Sequence, residues 1–93
     1  MSITRINEFL AAEEKADELF DFLKSLIPYI TSSEGCLACE VLQNEKQQTK
    51  FLVIEKWISV DHHQKSIENF PKEEMQAAMH FFAAPPQGSY YHA

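Results

Sequence analysis

The 93-residue chain has little basic charge, no long apolar run and only two cysteines, and each shortage excludes a class of protein. Eight Lys and Arg residues stand against 14 Asp and Glu residues, a formal net charge of −6 with no basic cluster to neutralise a phosphate backbone. Nucleic acid is therefore not an expected partner. Apolar runs fall far short of the ~20 residues that span a bilayer, and the N-terminal segment has no apolar signal core. We expect a soluble protein of the cytoplasm without membrane contact.

The two cysteines, Cys36 and Cys39, form a Cys-Leu-Ala-Cys sequence that could indicate a redox or zinc site. This segment is predicted to be a strand, where residues three apart point to opposite faces with Cα atoms ~10 Å apart, beyond the ~7 Å limit for a disulfide. We therefore expect two reduced thiols that pack as small apolar groups.

Residues 50–58, Lys-Phe-Leu-Val-Ile-Glu-Lys-Trp-Ile, predict an interior strand that contains the only tryptophan, Trp57. Both alternating sets of side chains are mostly apolar, so the sheet should be covered on both faces. A single domain of this length (1–93) buries only roughly 60–65% of its unfolded surface. We therefore expect a second subunit to cover the face that the chain's own helices leave open.

Hydrophobic spacing predicts the other elements. Strands are expected over residues 2–10, Cys36–Gln43 and 89–92. A helix is expected over 12–30, with Pro28 bending its last turn. Two shorter helices are expected over 62–70 and 72–82, separated by Pro71. Ser59 or Asp61 would cap the first of the later helices. The order strand, helix, strand, strand, helix, strand predicts an α+β, ferredoxin-like βαββαβ sandwich with an antiparallel four-stranded sheet, paired in a two-fold homodimer.

Several of these segments resemble the antibiotic biosynthesis monooxygenase (ABM) domain: Gly-Cys-Leu at 35–37, Phe-x-x-x-Glu-x-Trp-x-Ser at 51–59, a His-bearing helix and a late Pro-Pro. The similarity covers nearly the whole chain. It implies a dimeric α/β barrel. Members of the family include oxygenases of quinols and polycyclic phenols that use no metal or flavin, relatives that degrade haem, and many proteins without an assigned substrate.

The resemblance also implies site residues. Trp57 matches a tryptophan that lines the cavity between sheet and helices in active members, and Asn7 falls where several members place a first-strand asparagine that contacts substrate. From the residues alone, we expect Asn7 to be hydrogen-bonded to nearby backbone or to water. The helix histidine common nine residues after the tryptophan is replaced by Ser66, whereas His62 and His63 come earlier.

The implied chemistry needs no cofactor. A phenol or quinol bound against Trp57 would lose a proton to a base, and the electron-rich anion would react with dioxygen directly. Asn7 and the indole N–H of Trp57 would donate hydrogen bonds to the developing oxyanion. His62, His63 or His80 could be the base, since imidazole titrates near neutral pH.

Alternatives remain open at this stage. Glu55 shares the Trp57 face and is either a further polar site residue or a structural partner of Arg5. Adjacent histidines on a helix diverge by ~100°, which disfavours a metal site.

The domain could instead bind small aromatic molecules without catalysis, degrade haem, or be a structural dimer whose cavity is filled by its own Phe20, Phe81, Met75 and Met79. A cavity of at least ~300 Å³ reached by Asn7 and Trp57 would argue against the last of these.

Overall fold

Four antiparallel strands and four α-helices make up residues 2–93, the part of the chain that the computed structural model describes. The strands are β1 (Ile3–Leu10), β2 (Cys36–Gln43), β3 (Lys50–Trp57) and β4 (Gln87–Tyr91). The helices are α1 (Ala16–Ser25), α2 (Ile27–Ser32), α3 (Val60–Asn69) and α4 (Lys72–Ala78), and a 3₁₀ turn, Met79–Phe81, follows α4. The strand order β2-β3-β1-β4 confirms the predicted ferredoxin-like α+β fold.

The single helix predicted over residues 12–30 is wrong, because the chain forms two helices there. Helix α1 begins only at Ala16, after a turn in which Glu14 has a φ of 63°. It ends before Leu26, and Pro28 lies in the first turn of α2. Proline has no N–H to bond the carbonyl of Lys24, and its ring would clash with that carbonyl in a continuous helix. The chain therefore ends one helix and starts another.

The second helical region follows the prediction more closely. Pro71 separates α3 from α4, and the Ser59 side chain accepts a hydrogen bond from the backbone N–H of His62, which makes Ser59 the cap of α3. The predicted helix over 72–82 is shorter and tightens into the 3₁₀ turn after Ala78. Within residues 2–93, no helix has the length and apolar character needed to cross a membrane.

The helices cover one face of the sheet. Odd-numbered residues of β3 point toward them, and Phe51, Val53 and Trp57 are buried there. Leu19 and Leu23 of α1 pack on Phe51 and Val53 to form the centre of the core. The i, i+4 spacing of these leucines places both on the same side of α1, as an amphipathic helix requires.

The opposite face of the sheet carries the even-numbered residues of β1 and β3. Ile6 pairs with Ile54 at its centre. Ile58 and Tyr91 are 52% and 54% exposed, and Leu42 of β2 is 42% exposed. In the single chain this face, which mixes apolar and polar side chains and is called the open sheet face below, is not packed against any helix of residues 2–93.

A β-bulge changes the placement of the two cysteines. Cys36 pairs with Trp57, but Ala38 already pairs with Lys56, so the strand holds one extra residue at this point. Cys39 therefore pairs with Glu55, and both cysteines stand on the helix-covered side. The prediction that they point to opposite faces is wrong, although both thiols are free as expected.

Candidate functional site

A row of four side chains crosses the covered face of the sheet. Glu55 of β3 pairs with Cys39 of β2 on one side and with Arg5 of β1 on the other, and Arg5 pairs in turn with Tyr90 of β4. Residues in antiparallel register stand side by side on one face. A carboxyl group, a guanidinium and a phenol are thus neighbours on the side that the helices cover, where polar groups need partners.

Trp57 and Glu55 are bonded to each other beneath the helices. The indole N–H of Trp57 donates to Oε1 of Glu55 across 2.8 Å, and the two residues are 0% and 4% exposed. Burial raises the pKa of Glu55, while the Trp57 N–H and the charge of Arg5 act in the opposite direction. The indole N–H is therefore engaged inside the protein rather than directed at solvent.

His63 of α3 lies above this pair. Its ring is edge-on to Trp57 and to Tyr90, with ring centres 5.5 and 5.4 Å apart respectively. Its Nδ1 lies 2.6 Å from the Tyr90 hydroxyl, and its Nε2 lies 3.9 Å from Oε1 of Glu55. Burial, and secondly the charge of Arg5, lowers the pKa of His63 to about 4. The imidazole is consequently neutral near pH 7.

Arg5 connects the cluster to Asn7. The Arg5 Nε–H donates to Oδ1 of Asn7 across 3.1 Å, and its guanidinium carbon lies 4.6 Å from the centre of the Tyr90 ring, a cation–π contact. Gly88 makes room for both side chains, because a Cβ there would collide with Oδ1 of Asn7 and with Nη2 of Arg5. The absence of a side chain at Gly88 thus keeps this corner of the site open.

Two of the histidines proposed as bases lie elsewhere. Nδ1 of His62 is 2.7 Å from Oγ of Ser59, and its ring fills the space beside Gly35, where the φ of 86° also favours glycine. His80 lies exposed on the 3₁₀ turn, with its ring centre 4.2 Å from that of Phe81. Within residues 2–93, neither forms a hydrogen bond or a ring pair with Trp57.

Of the five site residues expected from sequence, the structure brings His63 into contact with Trp57, and Asn7 is linked to them only through Arg5 and Tyr90. Sequence reasoning missed Tyr90 and considered Arg5 only as a structural partner. The alternation of β1 already places Arg5 on the same face as Asn7. Tyr90 reaches the cluster only through the pairing of β4 with β1, which no local pattern reveals.

Ser66, which stands where the resemblance leads one to expect a histidine, has a structural role. It is 8% exposed, its carbonyl accepts a 2.7 Å hydrogen bond from the Tyr29 hydroxyl, and its Oγ lies 3.3 Å from Oγ of Ser33. These bonds dock α3 on α2. A histidine at this position would retain the carbonyl but lose the hydroxyl contact with Ser33.

Two grooves in the helical layer lie apart from the cluster. The larger, of about 650 Å³, is lined mainly by apolar and aromatic residues, among them Phe22, Tyr29, Phe70 and Phe81. The smaller, of about 320 Å³, is polar and includes Ser32, His62 and Lys65. Neither groove is lined by Asn7 or Trp57, so the cavity expected between these two residues is not one of them.

The described residues do not form a metal centre. Across residues 2–93, no three His, Cys, Asp or Glu side chains are grouped so that they could hold a metal ion. Burial, followed by the charge of Glu55, raises the pKa of Cys39 to about 12, and burial also raises that of Cys36. Both thiols are therefore protonated near neutral pH, a poor state for metal binding.

The fold is shared with many solved structures. A candidate antibiotic biosynthesis monooxygenase from Nitrosomonas europaea aligns with a TM-score of 0.90 at 14% identity, covering 99% of this chain and 89% of that one. SnoaB, a cofactor-independent oxygenase from Streptomyces nogalater, aligns in a variant form with a TM-score of 0.82 at 13% identity, covering 99% and 92%. A conserved protein from Methanosarcina mazei aligns with a TM-score of 0.86 at 21% identity, covering 98% and 91%.

These identities are low, so the likeness shows a common fold and not a common substrate. A comparison with curated proteins finds no match. The family model "Antibiotic biosynthesis monooxygenase", in contrast, matches residues 2–80, most of the chain. The chain belongs to the antibiotic biosynthesis monooxygenase (ABM) family.

Proposed function

We propose that the protein is a monooxygenase that oxidises a phenolic or quinol substrate with dioxygen and uses neither a metal nor an organic cofactor. The observation that carries this proposal is the contact between the neutral imidazole of His63 and the hydroxyl of Tyr90, beside Trp57. A proton acceptor in a largely dry site is what activation of a phenol requires. Family membership and the likeness to a cofactor-independent oxygenase support the same reaction class.

The proton leaves the substrate through Tyr90. With the His63 proton on Nε2, facing Glu55, Nδ1 accepts the hydrogen bond from the Tyr90 hydroxyl. The Tyr90 oxygen then takes the substrate proton as its own proton passes to His63. Because the pKa of His63 is lowered to about 4, the imidazolium forms only briefly, and as a stronger acid than a hydroperoxide it returns the proton readily to a peroxide anion.

The reaction balances without an external reductant. The phenolate carbon forms a C–O bond with dioxygen, and protonation gives a hydroperoxide. Loss of the proton on that carbon and cleavage of the O–O bond then yield a carbonyl group and one water. For a simple phenol the sum is phenol plus dioxygen to quinone plus water, and the substrate supplies all four electrons.

The functional unit in this proposal is a homodimer of single-domain subunits in the cytoplasm. The open sheet face, with Ile6, Ile54 and the exposed Ile58, supplies the self-complementary apolar surface that a two-fold contact needs. Two free thiols fit a reducing compartment.

Oxygen uptake with a panel of phenols and hydroquinones in chelator-treated buffer tests the function. The wild type and His80→Gln should consume oxygen above the uncatalysed rate, whereas His63→Gln and Tyr90→Phe should lose about 10²-fold or more of that activity. Tyr91→Phe, on the other face of β4, is the matched control for Tyr90. The proposal is wrong if no substrate of the panel consumes oxygen faster with protein than without it.

Binding without catalysis is the second candidate. The groove of about 650 Å³ is lined by several aromatic rings, and Trp57 is fully buried, which favours ligand binding away from the cluster. In that case an aromatic ligand should shift the ring NMR signals of Phe70 and Phe81 and leave the indole N–H signal of Trp57 unchanged.

A further inference from the structure

Arg5 is the only arginine of the chain, and its charge is not used in an ion pair within residues 2–93. Lys15, Lys24 and Lys50, in contrast, each lie within 4.0 Å of an exposed or half-exposed carboxylate. The register partner of Arg5 is Glu55, whose Oε1 accepts from Trp57 instead. Arg5 thus lies on the covered face of the sheet with no carboxylate oxygen of residues 2–93 within 4.0 Å of its nitrogens, although Glu55 is its neighbour across the strands.

The donors of Arg5 and Asn7 are only partly used. The Nε of Arg5 bonds to Oδ1 of Asn7, and because arginine can only donate, the bond identifies this atom as the amide oxygen. Within the described chain, the two terminal nitrogens of Arg5 and the amide nitrogen of Asn7 have no acceptor. No buried side-chain nitrogen or oxygen of residues 2–93 lacks a partner, so these three nitrogens must be reachable from solvent.

We propose that Arg5 and Asn7 form an anion site, and that the substrate is a phenol or quinol that also carries a carboxylate. This inference rests on the proposed function and names its substrate class. The planar guanidinium fork matches the two oxygens of a carboxylate, and the Asn7 amide adds a third donor.

The position of the anion site fits the proposed proton transfer. Arg5 lies against one side of Tyr90 at 4.6 Å, and His63 contacts the hydroxyl end of the same side chain at 2.6 Å. A carboxylate held by Arg5 therefore places the attached ring beside the Tyr90 oxygen. The chain's net charge of −6 repels anions at long range, so recognition of an acid depends on this local cation.

The test is anaerobic calorimetry with matched probes: para-hydroxybenzoate against para-hydroxybenzamide, and hydroxynaphthoate against hydroxynaphthamide. The acid of each pair should bind at least about tenfold more tightly than its neutral amide, as expected for a charge-assisted bidentate pair. Arg5→Gln should remove that preference, and Arg5→Lys should recover only part of it. Lys46→Gln removes the same charge from the exposed β2–β3 connection and should leave the preference unchanged.

Equal affinity of acid and amide for the wild type overturns the anion site, as does the absence of binding of any acid up to about 10 mM. This comparison of probes on the wild type holds even if an Arg5 variant fails to fold. Because binding is measured without dioxygen, the two proposals can fail separately. Acid-selective binding without oxygen uptake contradicts only the oxygenase proposal. Oxygen uptake at equal rates on acid and amide contradicts only the anion site.

Discussion

The indole N–H of Trp57 is bonded to the carboxyl group of Glu55, two residues earlier on the same strand, at 2.8 Å. Both side chains point toward the helices because residues i and i+2 of a strand share a face. The bond satisfies a buried donor and a buried acceptor together, and it brings a carboxyl group under the imidazole of His63. The pair thus lies against His63, whose other ring nitrogen contacts the Tyr90 hydroxyl in the proposed proton transfer.

Trp57→Phe should lower the free energy of unfolding by about 2–4 kcal/mol, because it leaves a void and removes the donor of a buried acceptor. Urea denaturation followed by circular dichroism measures the change. Glu55→Gln keeps an acceptor oxygen for the indole and should cost less than half as much. A larger loss for Glu55→Gln than for Trp57→Phe would mean that the carboxylate charge, and not the hydrogen bond, stabilises the pair.

His63 should make the protein less stable in acid. Its pKa is lowered to about 4 in the folded chain, against ~6.5 when unfolded. As the pH falls below ~6.5 the unfolded state takes up the proton first, so stability is lost progressively down to about pH 4. The loss amounts to at most about 3 kcal/mol.

Urea titrations of the wild type and of His63→Asn at pH 7 and pH 4 isolate this contribution, because Glu55 titrates in both proteins. Glu55, whose pKa is raised, acts with the opposite sign: it stabilises the fold in acid and loses that effect as the pH rises. The exposed His80→Asn is the control. If the free energy of unfolding fell equally between pH 7 and pH 4 for the wild type and for His63→Asn, a buried neutral imidazole would be contradicted.

Gly88→Ala should disturb Arg5 and Asn7 specifically. The added Cβ would collide with Oδ1 of Asn7 and Nη2 of Arg5, so one of these side chains must move. We expect the preference for acid over amide probes to fall about fivefold or more, on the scale of one lost charge-assisted bond. Ser89→Ala, on the open sheet face, should leave it unchanged in the same calorimetric experiment.

Ile54→Glu should dissociate the proposed dimer. Ile54 pairs with Ile6 at the centre of the open sheet face, and a carboxylate buried there without a partner costs several kcal/mol. Sedimentation velocity at micromolar concentration should show a dimer for the wild type and a monomer for the variant. Met79→Glu, at a site 59% exposed in the helical layer, should remain dimeric; a monomeric wild type would disprove the dimer.

The two thiols should react slowly with thiol reagents. The pKa of Cys39 is raised to about 12 and that of Cys36 is also raised, so little thiolate exists at pH 8. Mass spectrometry of iodoacetamide-treated protein should show Cys36 modified before Cys39, and both far more slowly than in urea. Rapid modification of Cys39 in the folded protein would contradict its burial.

Much of the fold could be predicted from local patterns. Alternation marked the core strand and its tryptophan, and helical spacing marked Leu19 and Leu23 as one buried stripe. The break at Pro28 was harder to place, because a proline can either bend a last turn or start a new helix, and the choice depends on how the following residues pack. The bulge beside Cys36 was equally hidden, since it exists only in the pairing of β2 with β3.

The sequence by itself determined the element order, the two-sided apolar character of the central strand and the presence of Asn7, Trp57 and His63 in segments that could meet. Only the tertiary structure decided that His63, and not His62 or His80, reaches Trp57, and that Tyr90 and Arg5 join them. Hydrophobic periodicity is a local property written in neighbouring residues. The partners of a polar side chain are instead set by strand register and helix docking, which join residues far apart in the chain.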